Sequence, residues 1–185
     1  MINIHLASKE FKESMEATLQ KALQYAEIIK FKKTDLDFLK DKRLESAIEN
    51  LENVIYFIRI KDNCEIKANT ICEIIRKFKQ VKNQKIKFPK VNGCNDNSDN
   101  KILYIGKSKG KIKGRFVSHL TINSPTVYGL HLEYWQNNPE FNKLELELYY
   151  AEIDLEEDDR NSEILELLET SLHKKYKPIL GRTGH

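Results

Sequence analysis

The chain of 185 residues is 40% hydrophobic and 32% charged, with 31 basic and 28 acidic side chains and a formal net charge of +3. That length suits one domain with a real core, and the abundance of Ile, Leu and Val excludes a wholly disordered chain. Neither a membrane-length apolar run nor a signal-peptide pattern is present, and three cysteines without zinc spacing argue against a disulfide scaffold or a zinc ribbon, so a reducing, cytoplasmic setting without a membrane partner is expected.

Residues 8–30 read as a helix, with Ser8 as cap and Phe11, Met15, Leu19, Ala22, Leu23, Ala26 and Ile29 recurring at helical spacing. A second helix is expected over 35–51, with Leu36, Leu39, Leu44, Ile48 and Leu51 inward. Together these make residues 1–52 an N-terminal helical arm packed on a core of residues 53–185. The stretch 54–60 is β-branched and aromatic, a strand signature. Residues 69–82 look helical, and 83–100, with Pro89, Gly93 and a run of Asn and Asp, read as a loop.

A second strand is expected at 101–106 and a basic helix at about 108–121. Residues 126–136 suggest another helix, on which Tyr128, His131 and Trp135 read as core. In 144–153, Leu144, Leu146, Leu148 and Tyr150 alternate with Glu145 and Glu147, the pattern of a half-exposed strand. A last helix is expected over 162–176, capped by Asn161 or Ser162, striped by Ile164, Leu167, Leu168 and Leu172, and stopped by Pro178. The expected class is α+β: a small, three-stranded, mainly antiparallel sheet flanked by helices.

The charge is unevenly arranged. Residues 59–115 carry 16 basic and 5 acidic groups, whereas 133–169 carry 2 and 13. The basic block is the footprint of a polyanion-binding surface, unless it is a solvated loop whose charge the acidic block neutralises in the fold.

Arg115 and His119 are four apart and share a helix face at the edge of the stripe Ile112, Phe116 and Leu120. An arginine held there can donate to two phosphate oxygens at once. Glu169 is the carboxylate nearest the apolar stripe of the last helix, with Glu163 and Glu166 farther round, and a half-buried carboxylate suits a hard cation.

The order of these pieces resembles the GIY-YIG nuclease family. Ile55-Tyr56 stands where the first half-motif ends, and Tyr104-Ile105-Gly106 reproduces the second, followed by Lys107. The run from Lys109 to Arg115 resembles the family's basic helix. Leu168-Glu169, then a helical turn, then Lys175-Tyr176-Lys177-Pro178 resembles its closing signature.

The resemblance implies a metal-dependent endonuclease acting on double-stranded DNA, most like the small restriction-type members. It implies one Mg²⁺ or Mn²⁺ ion per site on Glu169 and no small-molecule cofactor. Tyr56 would help to activate water with Lys107 nearby, Tyr104 would position the nucleophile or phosphate, Arg115 would stabilise the transition state, and His119 would assist proton transfer or hold the phosphate. Lys82, Lys85, Lys87, Lys109, Lys111 and Lys113 are the expected DNA contacts. Two strands to cut imply a homodimer or successive binding. The chain departs from the family in three ways: Val54 replaces a glycine, Gly181 falls where a late asparagine stands, with Arg182 or Thr183 as substitutes, and residues 61–100 are a lysine-rich insertion, expected to read DNA. A nucleic-acid-binding protein on a degenerate nuclease scaffold, a structure-specific repair nuclease and a helical interaction protein are the competing readings.

Overall fold

The computed structural model describes residues 4–40, 43–83, 85–92, 100–159 and 163–182. Helix α1 (Ile4–Ile28) is followed by strand β1 (Lys32–Leu36) and a single helical turn, α2 (Ser46–Glu49). Then come β2 (Val54–Ile60), α3 (Ala68–Gln80), β3 (Ile102–Ser108) and α4 (Ile112–Leu120). The short α5 (Leu132–Trp135), β4 (Leu146–Glu152) and α6 (Ile164–Tyr176) complete the order. Among the described residues the strands form one sheet in the order β1-β4-β2-β3, and every pairing is antiparallel.

The α+β class is as expected, but the sheet has four strands rather than three. The added strand is β1, at the start of a stretch expected to be helical. Leu36, Leu44 and Ile48 are all buried, as that helix required. They reach the core from a strand, a loop and a helical turn, so their spacing imitated a helical period without a helix. The N-terminal 52 residues are therefore not purely a helical arm, since they supply an edge strand of the sheet.

β2 lies inside the sheet and is covered on both faces, which is why it reads as an unbroken apolar run. Val54, Tyr56, Ile58 and Ile60 face a core built with α3, α4, Trp135 and Phe141. Ile55 faces a smaller cluster with Ala22 and Tyr25 of α1 and Ile164, Leu165 and Leu168 of α6. Leu165 takes the buried place expected for Leu167, which is 36% exposed. The caps expected at Asn161 and Ser162 lie outside the described residues, while Lys177, with φ of 45°, ends α6 one residue before Pro178.

Three more expectations change. β4 is not half-exposed, because Glu147 is buried beneath the side chains of Lys33 on β1 and Arg59 on β2. The helix expected over 126–136 shrinks to α5. Residues 126–131 form a loop because Gly129 crosses α4 so closely that a Cβ there would lie 2.1 Å from the Ser118 carbonyl oxygen. His131, with φ of 53°, pins this loop by setting its ring nitrogens 3.0 Å from the carbonyl oxygens of Thr121 and Val127. Tyr128 is thereby left exposed instead of joining the core.

Along α1 only the C-terminal half packs down. Lys21 bonds Asp159 at 2.6 Å and Tyr25 bonds the same carboxylate at 3.1 Å. Phe11, Met15, Leu19 and Leu23, expected to pack inward, are instead an exposed apolar stripe. Cys64 is a buried free thiol and Cys72 is disulfide-bonded.

Candidate active site

Antiparallel pairing places Tyr56 of β2 directly opposite Gly106 of β3. The absence of a side chain at Gly106 is what admits the ring. A Cβ there would lie 2.5 Å from the Tyr56 hydroxyl oxygen and 2.9 Å from the Tyr104 ring. The two tyrosine rings stack with centroids 6.3 Å apart. The tyrosine-isoleucine-glycine order of β3 thus has a steric meaning: one strand brings a tyrosine, and its glycine makes room for the tyrosine of the next strand.

α4 crosses this pair with the predicted face. The Arg115 guanidinium donates to the Tyr104 hydroxyl at 3.3 Å, and His119 Nε2 lies 2.8 Å from the Tyr56 hydroxyl. The backbone N–H of Leu130 points at His119 Nδ1 from 3.2 Å. A backbone N–H can only donate, so Nδ1 is an acceptor and the neutral ring carries its proton on Nε2. His119 is fully buried, and burial, followed by the charge of Arg115, holds its pKa well below the ordinary value. It is therefore a neutral donor to Tyr56, not an acceptor for the Tyr56 proton.

Both phenols are pushed up in pKa, chiefly by burial. The charge of Arg115 works in the opposite direction on each, and that of Lys107 does so on Tyr104. Tyr56 is fully buried, whereas Tyr104 is only partly covered and lines the adjoining cleft. The expected water-activating role of Tyr56 meets the difficulty that its hydroxyl lies in the protein interior.

Glu169 projects from α6 and is 8% exposed, more buried than the half-buried state expected. Its Oε2 accepts from the Lys107 ammonium at 3.1 Å. Glu166, expected farther round towards solvent, also joins this group, at 3.3 Å from both Lys107 and Lys109. His173, one turn beyond Glu169, contacts the Ile105 carbonyl oxygen at 3.2 Å and fastens α6 to β3. Neither Glu166 nor His173 was singled out from sequence. The i, i+4 relation of His173 to Glu169 was the available signal.

These groups border a cleft of 740 Å³. Its lining holds seven cationic side chains and one carboxylate, Glu169. One wall carries Tyr104, Lys107, Lys109 and Arg115. The other is made by the inserted segment, with Lys87 and Lys90, together with Lys79, Tyr128 and Arg182. Of the expected DNA contacts, Lys87 and Lys109 lie on this cleft. Lys82, Lys85 and Lys111 are exposed away from its lining, and Lys113 pairs with Glu49 at 3.0 Å on another face. Sequence reasoning missed Lys79, Lys90 and Tyr128 as cleft residues. Arg182 does reach the cleft, a Cβ at Gly181 would lie 3.1 Å from the Tyr104 ring, and Thr183 lies outside the described residues.

Among the described residues no cluster of three or more metal-ligating side chains occurs. The donor set fits a magnesium-like ion all the same, because such ions use one or two carboxylates and take the rest of their shell from water and substrate phosphate. Lys107 contacts Oε2 of Glu169 at 3.1 Å, and the surrounding cations attract the phosphate that would supply the rest of such a shell.

No protein-family model, curated protein or solved structure matches this chain.

Proposed function

We propose that the chain is a metal-dependent endonuclease of GIY-YIG plan that hydrolyses phosphodiester bonds in double-stranded DNA in the manner of a small restriction enzyme. One observation carries this reading. Tyr56, Tyr104, Lys107, Arg115 and Glu169 come from four elements to one place, beside a cleft whose lining has seven cations and a single carboxylate.

A divalent ion on Glu169 would neutralise phosphate charge and lower the pKa of bound water. The protein's own groups supply the remainder. Arg115 offers a preorganised fork to the phosphoryl oxygens as charge develops on them. Its bond to Tyr104 sets the phenol at the cleft wall, where the hydroxyl orients water or phosphate. Lys107, braced between Glu166 and Glu169, holds positive charge against the same wall. His119 donates to Tyr56 and so directs the Tyr56 proton away from the imidazole. Tyr56 then acts by holding the geometry and polarity of Tyr104 and Arg115.

Two strands need two cuts. A second copy of the chain could dock through the exposed stripe Phe11, Met15, Leu19 and Leu23, whose helix carries Lys9, Lys12, Glu13 and Glu16 in near balance and so does not repel its twin. A Met15→Glu, Leu19→Glu variant is then expected to lose dimer mass in sedimentation.

The test is cleavage of a long, varied DNA with Mg²⁺, beside EDTA and Glu169→Ala controls. Discrete bands that need both metal and Glu169 are expected. A smear with the same dependence would indicate a structure-specific or unspecific nuclease. Salt-sensitive binding without cutting would favour a degenerate scaffold, a reading supported by the buried Tyr56 hydroxyl and by Gly181 in place of an asparagine.

A further inference from the structure

Lys79, Lys90 and Arg182 come from three separate segments and meet on the inserted side of the cleft. Backbone bonds put them there. Val91 bridges Leu180, Asn92 N–H donates to the Ile179 carbonyl at 2.9 Å, and Gly181 N–H donates to the Lys90 carbonyl at 2.8 Å. The Lys79 ammonium is tethered to the Pro89 carbonyl at 3.1 Å. Residues 179 and 180 in turn bond the Ile102 and Leu103 carbonyls at the start of β3. The insertion is thus stitched through the C-terminal segment to the strand that bears Tyr104.

The three side chains are exposed, and their charge is unlike that of the cations paired elsewhere in the fold. Lys107 and Lys109 face Glu166, and Lys33 and Arg59 face Glu147. Among the described residues no carboxylate is within ion-pair distance of Lys79, Lys90 or Arg182. The cost is visible in Lys79, whose pKa is lowered by burial and then by the charge of Arg182. A fold that draws like charges together without a counterion is arranged for an anion from outside.

We propose that Lys79, Lys90 and Arg182 form a second phosphate site, which grips the DNA backbone beside the scissile phosphate and fixes the duplex in register with Tyr104 and Arg115. This inference rests on the nuclease reading and deepens it. The coupling is mechanical: Arg182 follows Gly181, whose φ of +111° would strain any side chain and where a Cβ would lie 3.1 Å from the Tyr104 ring. Backbone phosphates gripped here carry no sequence information, so the site sets position and affinity rather than specificity.

The experiment measures binding of the wild-type protein, in EDTA, to a mixed-sequence DNA duplex across a range of salt. Each phosphate contact adds about 0.9 to the slope of log K against log salt. The triple variant Lys79→Ala, Lys90→Ala, Arg182→Ala is expected to lower the slope by roughly 2 to 3 and to weaken binding alike on all sequences. The charge-keeping variant Lys79→Arg, Lys90→Arg, Arg182→Lys, expected to recover most of the slope, separates lost charge from lost folding. An unchanged slope in the alanine variant, with wild-type binding intact, overturns this inference and leaves the nuclease reading standing. If the wild-type protein shows no salt-dependent DNA binding, both are overturned.

Discussion

Glu147 and Glu169 are both buried, at 2% and 8% exposure, and each faces lysine or arginine, yet they belong to opposite kinds of arrangement. Both oxygens of Glu147 are taken, Oε2 by Lys33 and Oε1 by Arg59, each at 2.5 Å. Burial pushes its pKa up, and the hydrogen bonds from Lys33 and Arg59 outweigh that and hold it below the ordinary glutamate value. That group is closed: it joins β1, β4 and β2 and offers nothing to a ligand. Among the described residues Glu169 has one bond, at 3.1 Å, in a cleft whose lining cations outnumber it seven to one. The difference teaches that depth of burial does not mark a site. Imbalance does, because like charges gathered at one cleft attract the ion or molecule of opposite charge that completes them.

The largest effects are expected at the unbalanced end. Glu169→Ala should abolish cutting while retaining DNA affinity, and Arg115→Ala should lower kcat by about 10²–10³, the usual cost of one preorganised transition-state donor. Single-turnover cleavage beside a binding assay measures both. If Glu147→Gln proved as damaging to kcat as Glu169→Ala, the contrast would collapse.

Gly106→Ala comes next. The added methyl would drive into the Tyr56 hydroxyl and the Tyr104 ring, so a loss of about 1–3 kcal/mol in stability is expected from overpacking, with cleavage lost as well. Thermal unfolding and activity should fall together. Loss of activity with unchanged Tm would mean that the two rings shift without strain.

Glu147→Gln should destabilise by about 1–3 kcal/mol, since Lys33 and Arg59 lose a charged acceptor that is itself buried, and should leave kcat at the wild-type value. The pH dependence has a definite sign. A depressed folded-state pKa contributes stability that is present above the unfolded value, about 4.3, and lost as pH falls through the folded value. The gap between wild type and variant should therefore narrow in acid unfolding below about pH 4.

The smallest effect belongs to the histidines. His119 and His173 both have lowered pKa values, chiefly through burial. The unfolded chain takes up protons near pH 6.5 that the folded one refuses, so stability is full above that pH and declines below it. The slope is at most about 1.4 kcal/mol per pH unit for each group. His119→Gln keeps a donor towards Tyr56 and should flatten part of the slope in denaturant titrations between pH 7 and 5. An unaltered slope would mean that His119 titrates in the fold.

Much of the site was legible in the chain because its signals are local. Tyr104, Gly106 and Lys107 are near neighbours on one strand, Arg115 and His119 share a helix face by their spacing, and Glu169 lies in a short run. The far wall of the cleft was not legible. Lys79, Lys90 and Arg182 look like ordinary surface cations until a ladder between residues 91 and 180 gathers them, and Tyr128 looked like core until Gly129 turned its segment into a loop. Glu147 was misjudged for the same reason: alternation tells which residues share a face of the strand, and cannot tell that Lys33 and Arg59 from the neighbouring strands cover one of them.

By itself, then, the amino-acid sequence determined the α+β class, the apolar run of β2, the helical character of α3 and α6, and the charge of the basic block, because propensity, periodicity and charge act over a few neighbouring residues. The tertiary structure alone decided that the sheet has a fourth strand, which buried carboxylate is closed off and which lines a cleft, and that His119 Nδ1 accepts from a backbone N–H. Those outcomes depend on partners far apart along the chain, whose distances and desolvation exist only once the fold has closed around them.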